Sequence, residues 1–351
     1  MNTLNFALVG AGGIGKYLAH QIKQMEQGLE VTEAQRSLPH FLLPEGWTAR
    51  LRGVYDEDLA AAEQAATELE TSSYSSLDAL LGNEAIQAVI IATPPFTHAE
   101  LVQQALAHGK HVFCEKPMAL RLEDCDAMLQ AAQRAQRRLM VGHVLRLFPL
   151  FWLSKQLFEQ GRIGRLLAVN VRRTGYDIDL FSKGWRRVEA QSGGLVVEMN
   201  VHELDYMRWI GGEMRRVCAQ GIRPMPGTDF VQHWQGMLEF ETGAIGTLEA
   251  SMLDVLGGYR VHLVGERGSM MHGGFGGELV VRPVDGEEER FTPEQVGTPD
   301  PYLWELVAFV RGIVLNEPLP FDGYDGRQAV ALALACLQSI QTGSAISLSG
   351  Q

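Results

Sequence analysis

Apolar and polar positions follow two rhythms along this chain, and the change of rhythm divides it. Leu4 to Val9 is almost wholly apolar, which suits a short strand buried on both faces, and Lys16 to Met25 then has helical spacing. The pair recurs downstream. Arg50 to Tyr55 reads as a strand and the alanine-rich Leu59 to Leu69 as a helix. Ala85 to Ala92 is a continuous Ile/Val/Ala strand, followed by a helix over His98 to His108 and a strand over His111 to Cys114. A helix over Leu122 to Arg138 and a short strand over Leu139 to Gly142 end the series. Strand and helix units of this length predict a right-handed, parallel, doubly wound sheet, with ligand bound beyond the carboxyl ends of its strands. Residues 28–50 interrupt the series, carry Pro39, Pro44 and Gly46, and read as an inserted loop.

The remainder is richer in alternating, strand-like stretches: Leu166 to Arg173, Arg216 to Ile222, Phe230 to Phe240, Ala244 to Met252, Tyr259 to Val264 and Ser269 to His272. Glu241, Thr242 and Gly243 make a hairpin-like turn between two of them. One helix is expected over Leu195 to Ile210, and two more, Tyr302 to Leu315 and Gly326 to Thr342, close the chain. A length of 351 residues favours two domains. The rhythm puts them at 1–121 and 122–351.

Composition narrows the function classes. A net charge of −12 without any Lys/Arg-rich run argues against nucleic acid or an anionic membrane as the main partner. No apolar run reaches spanning length and no basic leader precedes Leu4, so a cytoplasmic location is expected. Cys114, Cys125, Cys218 and Cys336 lack any paired spacing, which predicts reduced thiols rather than a disulfide framework or a zinc site.

Candidate chemistry falls at the strand ends. Gly10, Ala11, Gly12, Gly13, Ile14 and Gly15 follow the first strand and open the first helix. In such a loop Gly10 permits the tight turn, Gly12 lets backbone approach a pyrophosphate, and Gly15 lets helix and strand pack closely. The helix N-terminus then offers free N–H groups and the positive end of its dipole. Asp56 ends the second strand, 41 residues after Gly15 instead of the usual ~20, a difference the insertion explains. Its carboxylate suits ribose hydroxyls and repels a 2′-phosphate. With Glu57 and Asp58 next and no adjacent Arg or Lys, NAD is favoured over NADP. The plainer alternative is that Asp56 caps the following helix. Thr93, Pro94 and Lys116 stand at later strand ends. Taken alone, Glu115, Lys116 and Pro117 read as a surface lysine before a strand-stopping proline.

In the helix over Leu195 to Ile210, Glu198, His202 and Asp205 stand at i, i+4 and i+7, so a regular helix projects all three from one face. Such a face can present an acid and a base to one substrate. The alternative is an exposed pair that merely supports the helix, and the apolar neighbours Leu195, Val196, Val197, Met199 and Val201 argue for burial instead. His202 and Glu203 lack the second His of the metalloprotease pattern, so no metal site is expected.

Taken together, Gly10 to Gly15, Ala92-Thr93-Pro94 and Glu115-Lys116-Pro117 resemble the Gfo/Idh/MocA family of nicotinamide-dependent sugar and inositol oxidoreductases. Gly142-His143 with Arg146 and Pro149, Trp185-Arg186 before Gly193-Gly194, and the acid/His/Asp helix extend the resemblance through most of the chain. It implies a Rossmann domain followed by an α+β domain with a large, mainly antiparallel sheet, whose outer face forms a homodimer or homotetramer contact. It also implies cofactor contacts from Gly10, Gly12, Gly13, Ile14, Gly15 and Asp56, and from Ala92, Thr93, Pro94, His98, Glu115 and Lys116. Substrate contacts are expected from Arg146, Tyr176, Trp185, Arg186, Glu198 and His202. The family usually has Asp where Glu198 stands and Gly where Asn200 stands. The implied reaction is oxidation of a secondary hydroxyl of a sugar, inositol or related polyol by hydride transfer to the nicotinamide. In it Lys116 holds or relays the hydroxyl proton, His202 is the general base, and Glu198 orients the hydroxyl or tunes Lys116. An NAD-dependent glycosidase using transient oxidation and elimination, and a non-catalytic dinucleotide or sugar sensor, are the alternatives.

Overall fold

A computed structural model describes residues 1–181 and 184–348. In chain order the first elements are β1 (Asn2–Val9), α1 (Gly13–Gln27), α2 (Glu33–Arg36), β2 (Trp47–Tyr55), α3 (Leu59–Glu68), β3 (Ser72–Ser73), α4 (Leu77–Leu81), β4 (Ala88–Ile91), α5 (Pro95–Ala107), β5 (His111–Cys114), α6 (Leu122–Ala135) and β6 (Leu139–Val141). Then come α7 (Pro149–Glu159), β7 (Leu166–Thr174), α8 (Glu189–Ser192), a π-helical turn at Leu195–Met199, α9 (Val201–Gly211), β8 (Met214–Ile222), β9 (His233–Phe240), β10 (Ile245–Ser251), β11 (Gly258–Gly265), β12 (Gly268–Gly273), β13 (Gly276–Pro283), β14 (Glu289–Phe291) and α10 (Pro293–Val296). The chain closes with α11 (Pro301–Val314), α12 (Gly323–Thr342) and β15 (Ile346–Ser347).

The contacts group these elements into two units. The first holds Met1–Val144 with Pro299–Arg327, and the second Leu145–Thr298 with Gln328–Gln351. The sequence put the boundary after residue 121. The difference lies in α6 and β6: β6 pairs parallel with β5, so the first sheet is complete only at Val141. Helix α11 also returns to this unit, which no local pattern announces.

In the first unit six parallel strands stand in the order β3-β2-β1-β4-β5-β6, the doubly wound order expected from the alternating units. All four residues of β4 are buried, as a strand covered on both faces requires. Helix α11 seats Phe309 against Phe6 of β1 and Phe113 of β5, at ring separations of 6.2 and 6.0 Å. The insertion is shorter than expected, because β2 starts at Trp47 rather than Arg50, and it is tied down rather than loose. Trp304 Nε1 and Arg311 Nη1 of α11 donate to the carbonyls of Pro39 and Leu42, at 2.9 and 2.6 Å. Phe41 is buried and meets Trp304 edge-on.

The second unit is built on nine strands in the order β14-β13-β12-β11-β7-β10-β9-β8-β15, antiparallel except between β7 and β10. The expected strands are present, with His233, His262 and His272 on β9, β11 and β12. Strands β13, β14 and β15 and helix α7 lack a sequence expectation; the last two of the strands have only three and two residues, too few for a periodic signal. One sheet face is apolar and covered, with Val169, Val171, Trp234, Leu238, Leu248, Val261 and Leu263 all buried. The described cysteines form no disulfide, and Cys218 is the exposed one. Among the described residues no helix is long and apolar enough to cross a membrane.

Candidate functional site

The glycine loop is the most tightly determined backbone in the first unit. Gly10 has φ +102°, and a Cβ there would sit 2.6 Å from the Ala92 carbonyl oxygen and 2.9 Å from Thr93 Cγ2. Only glycine lets the loop cross the end of β4 this closely. A Cβ on Gly15 would fall 2.1 Å from the Gly10 oxygen, so α1 is held against the loop by the missing side chain. Gly12 and Gly13 are the opposite case, because nothing among the described residues lies within 4 Å of where their Cβ atoms would stand. Both are exposed, as is Ile14, and Gly12 gives α1 no side-chain cap. An uncapped helix start beside open backbone is the donor set that a pyrophosphate fits.

Asp56 faces this loop. Its Oδ2 accepts from Ala11 N at 2.7 Å and its Oδ1 from Asp58 N at 2.9 Å. The alternative role of helix cap belongs instead to Asp58, whose Oδ1 accepts from Ala60 N and Ala61 N at 3.0 and 3.2 Å. Asp56 thus ties the end of β2 to the glycine loop and remains partly exposed there.

The other strand ends converge through a residue whose place differs from expectation. His98 was expected to touch cofactor, but it is fully buried beneath the loops. Its Nδ1 lies 2.9 Å from the Pro117 carbonyl and its Nε2 2.8 Å from the Thr93 carbonyl. The ring therefore clamps the Lys116-Pro117 turn to the Thr93 turn, and a direct cofactor contact is corrected to a supporting one. Burial pushes this imidazole below its ordinary pKa. The Lys116–Pro117 peptide bond is cis. Glu115 is buried, and its Oε2 accepts from Lys116 N at 3.1 Å, while the Lys116 side chain is half-buried. Thr93 and Pro94 are half-buried, Ala92 is buried, and Thr93 Oγ1 bonds Thr97 Oγ1 at 2.7 Å.

In the second unit the expected single helix is broken. Gly193 and Gly194 both take positive φ, +75° and +64°, and a Cβ on Gly194 would meet Phe230 at 2.5 Å. They start a π turn, closed by Asn200 N donating to the Leu195 carbonyl at 3.2 Å, before α9 begins. The extra residue in that turn corrects the i, i+4, i+7 reasoning, because Glu198 and His202 no longer share one regular helix. Glu198 is buried and its Oε1 accepts from Arg186 Nε at 3.3 Å. Arg186 lies over the Trp185 ring at 4.2 Å, a cation–π stack. His202 is half-buried in the first turn of α9, and Tyr176 is 62% exposed, which leaves its ring available to a ligand.

Asp205 and Arg146 are taken up by each other. Arg146 Nε and Nη2 meet Asp205 Oδ2 and Oδ1 at 2.7 and 2.5 Å, with both residues buried. This forked pair anchors α9 to the segment before α7 and fixes where the Arg146 guanidinium stands. Asn200, the departure from the family's glycine, is likewise accounted for. Its Oδ1 accepts from Trp234 Nε1 at 2.8 Å and its Nδ2 donates to Glu203 Oε2 at 2.9 Å. Glu203 Oε1 in turn accepts from Arg173 Nη1 at 2.8 Å and Tyr259 OH at 2.6 Å. Glu203 is 0% exposed, yet both its oxygens are hydrogen-bonded, so a buried carboxylate is tolerated. Sequence reasoning missed this network, since its members are spread from Arg173 to Tyr259.

Known proteins resemble this chain in both units. The Gfo/Idh/MocA family described as an oxidoreductase family with an NAD-binding Rossmann fold matches residues 4–143, and the Gfo/Idh/MocA C-terminal domain matches residues 151–271. Inositol 2-dehydrogenase 2 of Saccharopolyspora erythraea is 31% identical over 318 residues, covering 84% of this chain and 87% of that protein. The 2,7-anhydro-N-acetylneuraminate hydratase of Escherichia coli is 31% identical over 251 residues, 70% of this chain. The match spans 61% of that hydratase's length and 51% of the next two relatives. The solved structure of levoglucosan dehydrogenase with NADH and levoglucosan has the same fold, with a TM-score of 0.88 at 23% identity over 99% of this chain and 100% of that one. The two matched regions together span most of the chain, the inositol dehydrogenase relative is covered over 87% of its length, and the chain belongs to the Gfo/Idh/MocA oxidoreductase family.

Proposed function

We propose that this protein is an NAD-dependent dehydrogenase that oxidises a secondary hydroxyl of a sugar, inositol or related polyol. The observation that carries the reading is the first unit's loop: open, exposed Gly12 and Gly13, an uncapped α1, and a carboxylate at the end of β2 with acidic residues after it. Gly12, Gly13 and Ile14 would hold the pyrophosphate and Asp56 the ribose hydroxyls, whose NAD form the Asp56-Glu57-Asp58 run favours by repelling a 2′-phosphate. When bound, the nicotinamide supplies a hydride acceptor. Lys116 holds or relays the proton of the substrate hydroxyl, fixed through the Glu115 bond to its backbone. His202 takes that proton as general base, and Glu198, steadied by Arg186, orients the hydroxyl. Tyr176, Trp185 and Arg186 offer the flat apolar faces and forked donors that suit a sugar ring.

A second reading is favoured by one comparison. The E. coli relative is named as a hydratase of an anhydro-sugar, so a transient oxidation that ends in C–O bond breakage or hydration, without net redox change, fits the same residues. A panel of inositols, aldoses, glycosides and anhydro-sugars decides between them. Net NADH formation with free polyols supports the dehydrogenase; release or hydration of the sugar without net NADH supports the alternative; nucleotide binding with neither leaves a sensor. For assembly we propose a homodimer or homotetramer through the outer face of the nine-stranded sheet, where Met237 and Ile245 are 56% and 50% exposed. Sedimentation of wild type and Met237→Lys tests it: a mass unchanged by the lysine removes that face from the contact.

A further inference from the structure

Helix α11 carries an acid that the proposed reaction does not use. Glu305 is 0% exposed, and neither of its carboxyl oxygens has a hydrogen-bond partner among the described residues. Two contacts fix where it stands. Phe309, one helical turn on, lies against Phe6 and Phe113. Glu115 is two residues beyond Phe113 and so projects from the same side of the chain. Tyr302, two turns before Phe309, meets Tyr17 near the start of α1 at a ring separation of 5.2 Å, so α11 followed backward runs toward the carboxyl ends of the strands, as Phe113 to Glu115 does, and similar steps of about 5 to 7 Å put Glu305 on the side of Glu115, whose charge acts on it. The other titratable groups facing this corner are Asp300 and Tyr302 in the first turn of α11 and, behind them, Tyr17 of α1. Asp300 is already engaged as the N-cap of α11, by Tyr302 N at 2.9 Å and Leu303 N at 3.0 Å, and by Tyr17 OH at 2.6 Å.

An ionised Glu305 would be a buried charge with no donor beside a second carboxylate, an arrangement that costs several kcal/mol in general. A neutral carboxylic acid avoids that cost, but its O–H requires an acceptor. The Glu115 carboxylate is the acceptor on this side. We propose that Glu305 is a neutral carboxylic acid that donates its proton in a hydrogen bond to Glu115, directly or across one enclosed water, and so steadies the carboxylate that holds the Lys116 backbone. Burial pushes Glu305 well above the ordinary carboxylate range, and Glu115 and Asp300 act in the same direction. Burial raises Tyr302 as well, with Glu115 and Glu305 the next causes. Glu305 is thus a positioning residue acting through Glu115. The shared proton stands whether or not the chain is a dehydrogenase; only its bearing on turnover at Lys116 rests on that reading.

The test needs no substrate. Infrared difference spectroscopy of the whole protein at about pH 7.5 should show a protonated-carboxyl C=O stretch in wild type that disappears in Glu305→Gln. Stability against pH gives a second readout. Below about pH 4.3 both folded and unfolded Glu305 carry the proton. Above that value the unfolded chain releases it and the folded chain keeps it, so wild-type stability falls as pH rises toward the folded pKa. Glu305→Gln lacks this loss, and its Tm should gain on that of wild type between about pH 5 and pH 8. If Glu305→Gln does not fold, Glu305→Met, of similar size and without polar atoms, carries both readouts. A wild-type spectrum without the band, a band that survives the substitution, or a Tm difference that stays constant over that range overturns the proposal.

Discussion

The glycine loop of the first unit and the π turn with α9 in the second each hold an irregular stretch of backbone in place, but they are built in opposite ways. In the loop the geometry is written in missing atoms: Gly10 and Gly15 fit because no Cβ would fit there. In the second unit the geometry is written in added polar atoms, with Asn200, Glu203, Trp234, Arg173 and Tyr259 joined in one buried network. A loop made by omission is local and legible as a motif. A helix break held by a network draws its partners from distant strands.

Lys116→Met offers the sharpest test of that comparison: turnover should be lost while nucleotide affinity, which the glycine loop sets, is kept. Steady-state kinetics beside a nucleotide titration checks it, and retained turnover removes Lys116 from the mechanism. Gly10→Ala should do the reverse in kind. Both the positive φ and the 2.6 Å approach to the Ala92 oxygen resist a methyl, so nucleotide binding should fail and stability should drop by roughly 3 kcal/mol. Calorimetry together with the same titration measures it.

Asn200→Ala should cost about 2 kcal/mol in denaturant unfolding, because it leaves Trp234 Nε1 and one Glu203 oxygen without a partner. Asn200→Gly, the family's usual residue, should cost no less, since glycine restores neither bond. A cost near zero would show that the network is dispensable.

The second unit's buried polar groups also make it sensitive to acid. Burial pushes His272 down to about 3. Its folded pKa lies below the unfolded value near 6.5, so between those values the unfolded chain binds the proton and the folded one does not, and stability is lost as pH falls. From about pH 6.5 to pH 5 this one group contributes a loss of roughly 2 kcal/mol. His272→Asn, whose side-chain oxygen can replace Nδ1 as acceptor for Gly274 N, should flatten that part of the pH profile in denaturant titrations. The smallest effect is expected for Asp58→Ala, about 1 kcal/mol from the lost cap of α3, with nucleotide affinity unchanged, because Asp56 and not Asp58 reaches the glycine loop.

Much of the first unit was legible in the sequence. Uninterrupted apolar runs such as Ala88–Ile91 name buried parallel strands, and three glycines at fixed offsets name a phosphate loop, because each signal is carried by neighbouring residues. The return of α11, the docking of the insertion on it and the burial of His98 between two carbonyls were not. His98 looked like a site residue because it stands near Thr93 and Pro94 in the chain, and only the fold shows that its ring points beneath them. The helix of Glu198, His202 and Asp205 misled for a related reason. Its spacing is perfect for a regular helix, and nothing in residues 195–211 announces a π turn.

By itself, then, the sequence determined the parallel doubly wound sheet, the strand-rich second half, the family and the loop suited to a dinucleotide, since these follow from periodicity and from what glycine permits. The tertiary structure alone decided that Arg146 and Asp205 satisfy each other, that Asn200 belongs to a network, and that Glu305 is enclosed with no hydrogen-bond partner among the described residues. The physical reason is common to all three. A buried charge or amide is tolerated only with a partner, and the partner is supplied by packing between segments that the order of residues along the chain does not bring together.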